Sequence, residues 1–134
     1  MTEVIGLFAT PLMRVPGALP ALLVAGLVGH FGARALRVNS SSQNLSHSAL
    51  LRPADSPLFV QAAALITPRL VDFGALLFGE QIGGSVKEVW VKVLQAVGRQ
   101  AMHNHANRFV SGVVYLTPSH PNAQTVFIKS PRRQ

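Results

Sequence analysis

Cysteine is absent from this chain of 134 residues, and acidic residues are scarce, with five Asp and Glu against twelve Lys and Arg. The lack of cysteine excludes disulfide frameworks, thiolate zinc sites and cysteine nucleophiles. Any metal must therefore be held by His, Asp or Glu. The scarcity of acidic residues gives a formal net charge of +7, a balance typical of proteins that bind nucleic acids or anionic membranes.

Charged residues of both signs make up only 13% of the sequence, whereas 49% is hydrophobic. This composition excludes a disordered chain, and the length suits a single domain, residues 1–134. The basic residues are spread singly, apart from Lys129, Arg132 and Arg133 near the C-terminus. We therefore expect no specific nucleic-acid binding. A basic nucleic-acid or membrane-surface binder is kept as one alternative function.

Residues 15–33 carry no formal charge, and their number approaches the roughly 20 apolar residues of a membrane span. Pro16, Pro20 and His30 disfavour a span, because prolines restrict the helix and a histidine is costly in lipid. We expect no membrane span, and we predict a buried helix over residues 19–32 of a cytoplasmic protein. A signal peptide within residues 15–35 stays open as an alternative, since residues 18–28 could form its apolar region.

A second helix is predicted from Ser56, the N-cap, and Pro57, the first helical position, to near Gly79. Pro68 lies inside this pattern and predicts a kink or two consecutive helices. Between the two predicted helices, residues 38–48 are rich in Ser and Asn, and this composition predicts a loop.

After Gly83 the pattern changes from helical to alternating. Val89, Val91 and Val93 share one face of a predicted strand that ends at Gly98. Residues 109–116 and 125–129 predict two further strands. The fold class is therefore α+β, with N-terminal helices followed by antiparallel strands.

His103 and His105 form the sharpest local feature of the sequence. In an extended segment their Cα atoms would lie about 6–7 Å apart on the same face. Two imidazoles at that separation can converge on one metal ion. A polar turn with two exposed histidines is the alternative, and the spacing alone leaves it open.

Three segments together point to a family: LFATPL at residues 7–12, KEVWVKV at residues 87–93 and HNHANRFVSGVVYL at residues 103–116. Their order and spacing resemble the Fe(II)/2-oxoglutarate-dependent oxygenases. The similar branch is related to the prolyl-4-hydroxylase fold and has an "LFPTP"-like strand and an "H-x-H…SGVYYL" block. The resemblance implies a jelly-roll-like double-stranded β-helix that binds Fe(II) and uses 2-oxoglutarate as cosubstrate.

Residue by residue, the resemblance implies that His103 and His105 are metal ligands, with His105 at a position that is a carboxylate in the wider superfamily. It also implies that Tyr115 lies in a strand facing the 2-oxoglutarate pocket. The family's distal His and its cosubstrate-binding basic residue lie further downstream than this chain extends. The third metal ligand is therefore not identified, and His47 or a partner subunit is a candidate.

The resulting hypothesis is the N-terminal part of an oxygenase-like fold, a hydroxylase-type enzyme of unknown substrate truncated at its C-terminus. Whether the chain alone is an enzyme stays open. A non-catalytic remnant or interaction module without a metal site is the main alternative. In a barrel cut after its early strands, residues 125–129 would be an unpaired edge, so we also expect self-association through that edge.

Overall fold

The computed structural model describes residues 2–7, 10–39, 42–105, 109–118, 121 and 123–128. In chain order the elements are β1 (Glu3–Leu7), β2 (Thr10–Arg14), α1 (Ala21–Phe31), β3 (Arg37–Val38), β4 (Gln43–His47), α2 (Pro57–Phe78) and β5 (Lys92–Arg99). Short 3-10 helices, Gly32–Arg34 and Pro53–Asp55, follow α1 and precede α2. The described chain is thus mixed α/β, with two helices and small antiparallel sheets.

Strands β1 and β2 form an antiparallel hairpin in which Glu3 lies opposite Arg14 and Leu7 lies opposite Thr10. An exposed ion pair of 3.8 Å joins Arg14 to Glu3 at its open end. Residues 7–12, expected to lie in one strand, therefore include the end of β1 and the start of β2.

Helix α1 confirms the helix predicted over residues 19–32, but the helix is buried along one face only, and Leu22 is 89% exposed. Its buried side chains, Leu23, Leu27 and Phe31, recur every four residues and so share one face. That face meets α2, where the rings of Phe31 and Phe59 stack with their centroids 4.4 Å apart. These residues and Ala62 form the hydrophobic core cluster.

Helix α2 begins and ends where its capping residues predict. The Ser56 hydroxyl accepts a hydrogen bond of 3.2 Å from the Leu58 N–H. At the other end Gly79 adopts a left-handed conformation, φ +73°, and its N–H donates to the Ala75 carbonyl. Pro68 lies within one continuous helix, so the alternative of two consecutive helices is wrong.

Among the described residues, α2 is also a helix long and apolar enough to cross a membrane. It has 22 residues, and its apolar window has a mean hydropathy of 1.3 and is 11% buried. The helix meets this criterion by length and composition alone, and the core helices of soluble proteins meet it as well.

Strands β3, β4 and β5 form an antiparallel sheet with β4 in the centre. Residues 38–48 therefore contribute to two strands, and the predicted loop is wrong over most of its length. A turn bond remains between the two strands, where the Ser42 N–H donates to the Asn39 carbonyl at 3.3 Å. The Ser and Asn residues favour turns locally, but pairing with β3 and β5 overrides that preference.

Strand β5 differs from the prediction at both ends. It begins at Lys92, whereas Val89 makes only an isolated bridge with Leu51. Gly98, predicted to end the strand, lies inside it. The register between β4 and β5 shifts between Gln43 and Leu45. A Cβ on Gly98 would lie 2.8 Å from the Asn44 carbonyl oxygen, so glycine permits the close approach of the two strands at this irregularity.

The strands predicted over residues 109–116 and 125–129 are wrong where the structure describes them, because residues 109–118 and 123–128 contain no strand. Their side chains are largely exposed, with Phe109 at 89% and Val126 at 70%. The composition of these segments favours strands. A strand also needs a neighbouring strand to pair its backbone N–H and C=O groups, and none of the described strands pairs with these segments. The described sheets have two and three strands, so the double-stranded β-helix stays an expectation.

Candidate functional site

A cleft of about 530 Å³ lies beside the β3–β4–β5 sheet and contains both histidines of the H-x-H motif. Its walls come from the three strands, the residues flanking them and the segment that follows β5. The described lining residues are Arg37, Asn39, Ser42, His47, Ser48, Leu50, Trp90, Lys92, Gln100, Ala101, Met102, His103 and His105.

Two serines hold the walls of the cleft together. The buried Ser48 donates its backbone N–H to the Val91 carbonyl at 2.8 Å, and its hydroxyl accepts from the Val91 N–H at 3.0 Å. The Ser42 hydroxyl accepts from the Ala101 N–H at 3.0 Å. The segment carrying the histidines is thereby fastened to the turn before β4. Sequence reasoning missed both serines, because it interpreted residues 38–48 as a loop.

His103 and His105 lie side by side at the cleft. Their ring centroids are 4.9 Å apart and the rings meet edge to face, at 77°. The Nδ1–H of His103 donates to the Ala101 carbonyl at 3.0 Å, which fixes the tautomer and leaves the Nε2 lone pair for a ligand. Metal-binding histidines characteristically make this kind of bond to a backbone carbonyl.

The donor set is incomplete in the described part of the chain. No group of three or more His, Cys, Asp or Glu side chains there is placed to hold a metal ion. Imidazole suits Fe(II), but the iron sites of non-haem oxygenases use three protein ligands. His103 and His105 supply two imidazoles, one donor fewer than such a site uses. His47 lines the same cleft, but it does not join them in such a group, and its Nδ1–H donates to the Ser48 carbonyl at 2.8 Å.

Tyr115 does not line this cleft in the described structure. It is 62% exposed, and its hydroxyl is hydrogen-bonded to the Thr125 hydroxyl. The implied cosubstrate role required a strand, whereas residues 109–118 form none. The role of Tyr115 stays a prediction.

The cleft is basic. Lys92 donates from Nζ to Gln100 Oε1 at 2.7 Å and lies 5.7 Å from the centroid of the Trp90 ring. Burial lowers the pKa of Lys92, because removal from water disfavours the charged ammonium. None of the described lining residues is acidic.

Residues 88–134 match the family model described as "Putative 2OG-Fe(II) oxygenase". This match supports an oxygenase. It covers the C-terminal part of the chain, including β5, Lys92 and both histidines of the cleft, and the family implies dependence on Fe(II) and 2-oxoglutarate. No curated protein and no solved structure matches the chain.

Proposed function

We propose that the cleft beside β5 is the metal and cosubstrate site of a hydroxylase-type 2-oxoglutarate/Fe(II) oxygenase. One observation carries the proposal: the segment that matches the oxygenase family model contains His103 and His105, whose rings adjoin in the same cleft.

In this proposal His103 and His105 hold Fe(II) through ring nitrogens. When bound, Fe(II) supplies the oxidative decarboxylation of 2-oxoglutarate that drives hydroxylation. The chain itself contributes the orientation of the histidine rings. The bond from His103 Nδ1–H to the Ala101 carbonyl holds the ring in one orientation and leaves Nε2 as the nitrogen that would bind the metal.

Two imidazoles make an unusual pair for this chemistry, because the wider superfamily has a carboxylate where this chain has His105. A neutral ligand does not offset the charge of the metal, so the site stays more positive and binds the ion more weakly. We therefore propose weak metal binding.

A titration with Co(II), a redox-stable substitute for Fe(II), tests the site. We expect weak, saturable binding by calorimetry, reduced at least about tenfold in His103→Ala and in His105→Ala, because each variant removes one ligand. His30→Ala is the matched control, since His30 is an exposed histidine on α1 that does not line the cleft. Binding by both cleft variants at the parent's affinity would refute the assignment.

A second candidate function is a non-catalytic interaction module. One observation favours it: large apolar side chains are exposed along the described part of residues 109–128, among them Phe109, Val113, Val126 and Ile128. Contiguous exposed apolar surface is typical of interaction sites. In this alternative the chain associates with other copies of itself and the histidine pair binds no metal.

A further inference from the structure

The outer face of α1 is apolar and exposed. It lies opposite the buried face of the helix and consists of Ala21, Leu22, Ala25, Val28 and Gly29. With 3.6 residues per turn, these five positions fall within an arc of about 120° around the helix axis. An exposed helix face normally carries polar or charged side chains, and this face has none. The outer face of α1 therefore has the composition of a surface that is covered.

The sequence around α1 is basic and lacks acidic residues. No Asp or Glu occurs between Glu3 and Asp55. Arg34 and Arg37 follow the helix, and both are exposed. The Arg34 guanidinium donates to the carbonyl of His30 in the last turn of α1, so its positive charge is held at the C-terminal end of the helix. An apolar face and exposed cations thus adjoin at this end.

Two more apolar side chains are exposed among these cations. Leu36 lies between the two arginines in sequence, and Val38 follows them. Exposed apolar side chains interspersed with arginines are typical of proteins that bind anionic membranes, because the apolar groups enter the interface while the guanidinium groups pair with phosphate. A second copy of the chain carries the same net charge of +7, which repels it, whereas an anionic lipid surface is attracted.

We propose that the outer face of α1 binds the surface of an anionic phospholipid bilayer, with Leu22 and Val28 in the interfacial region and Arg34 on lipid phosphate. The helix has 11 residues and is thus about 16 Å long, half the thickness of the hydrocarbon core. It therefore lies along the surface and does not span the bilayer. The proposal goes beyond the oxygenase function, because it requires no metal and α1 lies outside the segment matched by the family model.

Strand β5 provides control positions away from this face. Val89 and Val91, which precede β5, pack against the core cluster on the buried side of α1. Val97 on β5 is 86% exposed, nearly as much as Leu22 at 89%. Arg99, at the end of the same strand, is exposed like Arg34. Each residue of the proposed surface can therefore be compared with an equally exposed residue of the same type of side chain.

The absence of cysteine allows a fluorophore to be attached at one chosen position. Leu22→Cys and Val97→Cys are labelled with an environment-sensitive dye and mixed with vesicles of phosphatidylcholine alone or with an equal amount of phosphatidylserine. We expect the emission of the dye at position 22 to shift to shorter wavelength with the anionic vesicles only, because the dye enters the apolar interface. The dye at position 97 should not respond.

Vesicle flotation measures the contribution of each residue without a label. Leu22→Gln should weaken binding to the anionic vesicles about tenfold, since it removes one large apolar side chain, and Val97→Gln should have no effect. Arg34→Gln should weaken binding about fivefold, as expected for one basic residue near a charged surface. Arg34→Lys should restore most of this loss, and Arg99→Gln should bind nearly as the parent does. Far-UV circular dichroism verifies that each variant is folded.

The proposal is overturned if the chain does not bind the anionic vesicles, or binds phosphatidylcholine vesicles as tightly. Equal losses in Leu22→Gln and Val97→Gln, or in Arg34→Gln and Arg99→Gln, would also overturn it, since binding would then be unspecific. A shift of the dye at position 22 that appears on raising the protein concentration without lipid would assign the face to a second copy of the chain instead. The vesicle and cobalt experiments use different residues, so either can fail while the other succeeds.

Discussion

Lys92 lies between a neutral amide and an aromatic ring, with Nζ 2.7 Å from Gln100 Oε1 and 5.7 Å from the Trp90 centroid. Burial lowers the pKa of Lys92 below its ordinary value. The folded chain therefore binds this proton less tightly than the unfolded chain does. Stability rises with pH between the lowered pKa and the ordinary lysine pKa, by a small amount because the side chain is partly solvated.

Lys92→Arg should lose this pH dependence, since arginine stays charged across the range in which Lys92 titrates. Urea denaturation at several pH values measures both stability profiles, and parallel profiles in the two proteins would contradict the assignment.

The sequence could predict His103 and His105 as neighbours because their proximity depends only on a two-residue spacing. Arg37, His47 and Lys92 could not be found in the same way. They belong to three strands, two of which lie at least partly in a segment whose local composition is typical of a loop. Their alignment depends on the strand register, which no local pattern in the chain specifies.

Gly98 is the position where β5 has least room. A Cβ there would lie 2.7 Å from the Gln95 carbonyl oxygen and 2.8 Å from that of Asn44. We expect Gly98→Ala to lower the free energy of unfolding by about 1–3 kcal/mol, the usual cost of overpacking. Gly112→Ala is the control, because a Cβ there meets nothing within 4 Å, and its effect should be close to zero. Urea denaturation measures both, and equal stabilities would contradict the crowding at Gly98.

The helices were more predictable than the strands because their boundary signals are local. Ser56, Pro57 and Gly79 specify the ends of α2 within a few residues. Strand signals were correct only in part. Of the three alternating valines only Val93 lies in β5, whose start at Lys92 reflects pairing with β4. Residues 109–116 have strand composition without a described partner, and composition cannot supply one.

The core of the described molecule is confined to the contact between α1 and α2, where Leu23, Leu27, Phe31, Phe59 and Ala62 cluster. The sequence composition indicated ample apolar material, and the two helices use part of it. Other large apolar side chains stay exposed, including Val97 on β5 at 86%. In the described sheet β5 is an edge strand, with β4 as its neighbour on one side.

An unpaired edge and exposed apolar side chains favour association with other copies of the chain. We expect the sedimentation coefficient to rise with protein concentration. Phe127→Lys should reduce this rise, because it replaces an apolar side chain that is 50% exposed with a charged one. Leu22→Lys is the control, since Leu22 is 89% exposed on α1, away in sequence from the exposed C-terminal residues. A monomer at every concentration, with cooperative unfolding, would refute self-association.

The central claim, a metal site at His103 and His105, is tested most directly by nuclear magnetic resonance of the histidine rings. The chain has five histidines, and the ring signals of His103, His105 and His30 can be assigned from their alanine variants. On addition of substoichiometric Co(II), the account predicts that the His103 and His105 signals shift and broaden first, while the His30 signal is unchanged. The account would be contradicted if the His30 signal responded in parallel with those of His103 and His105, or if the His103 and His105 signals did not respond.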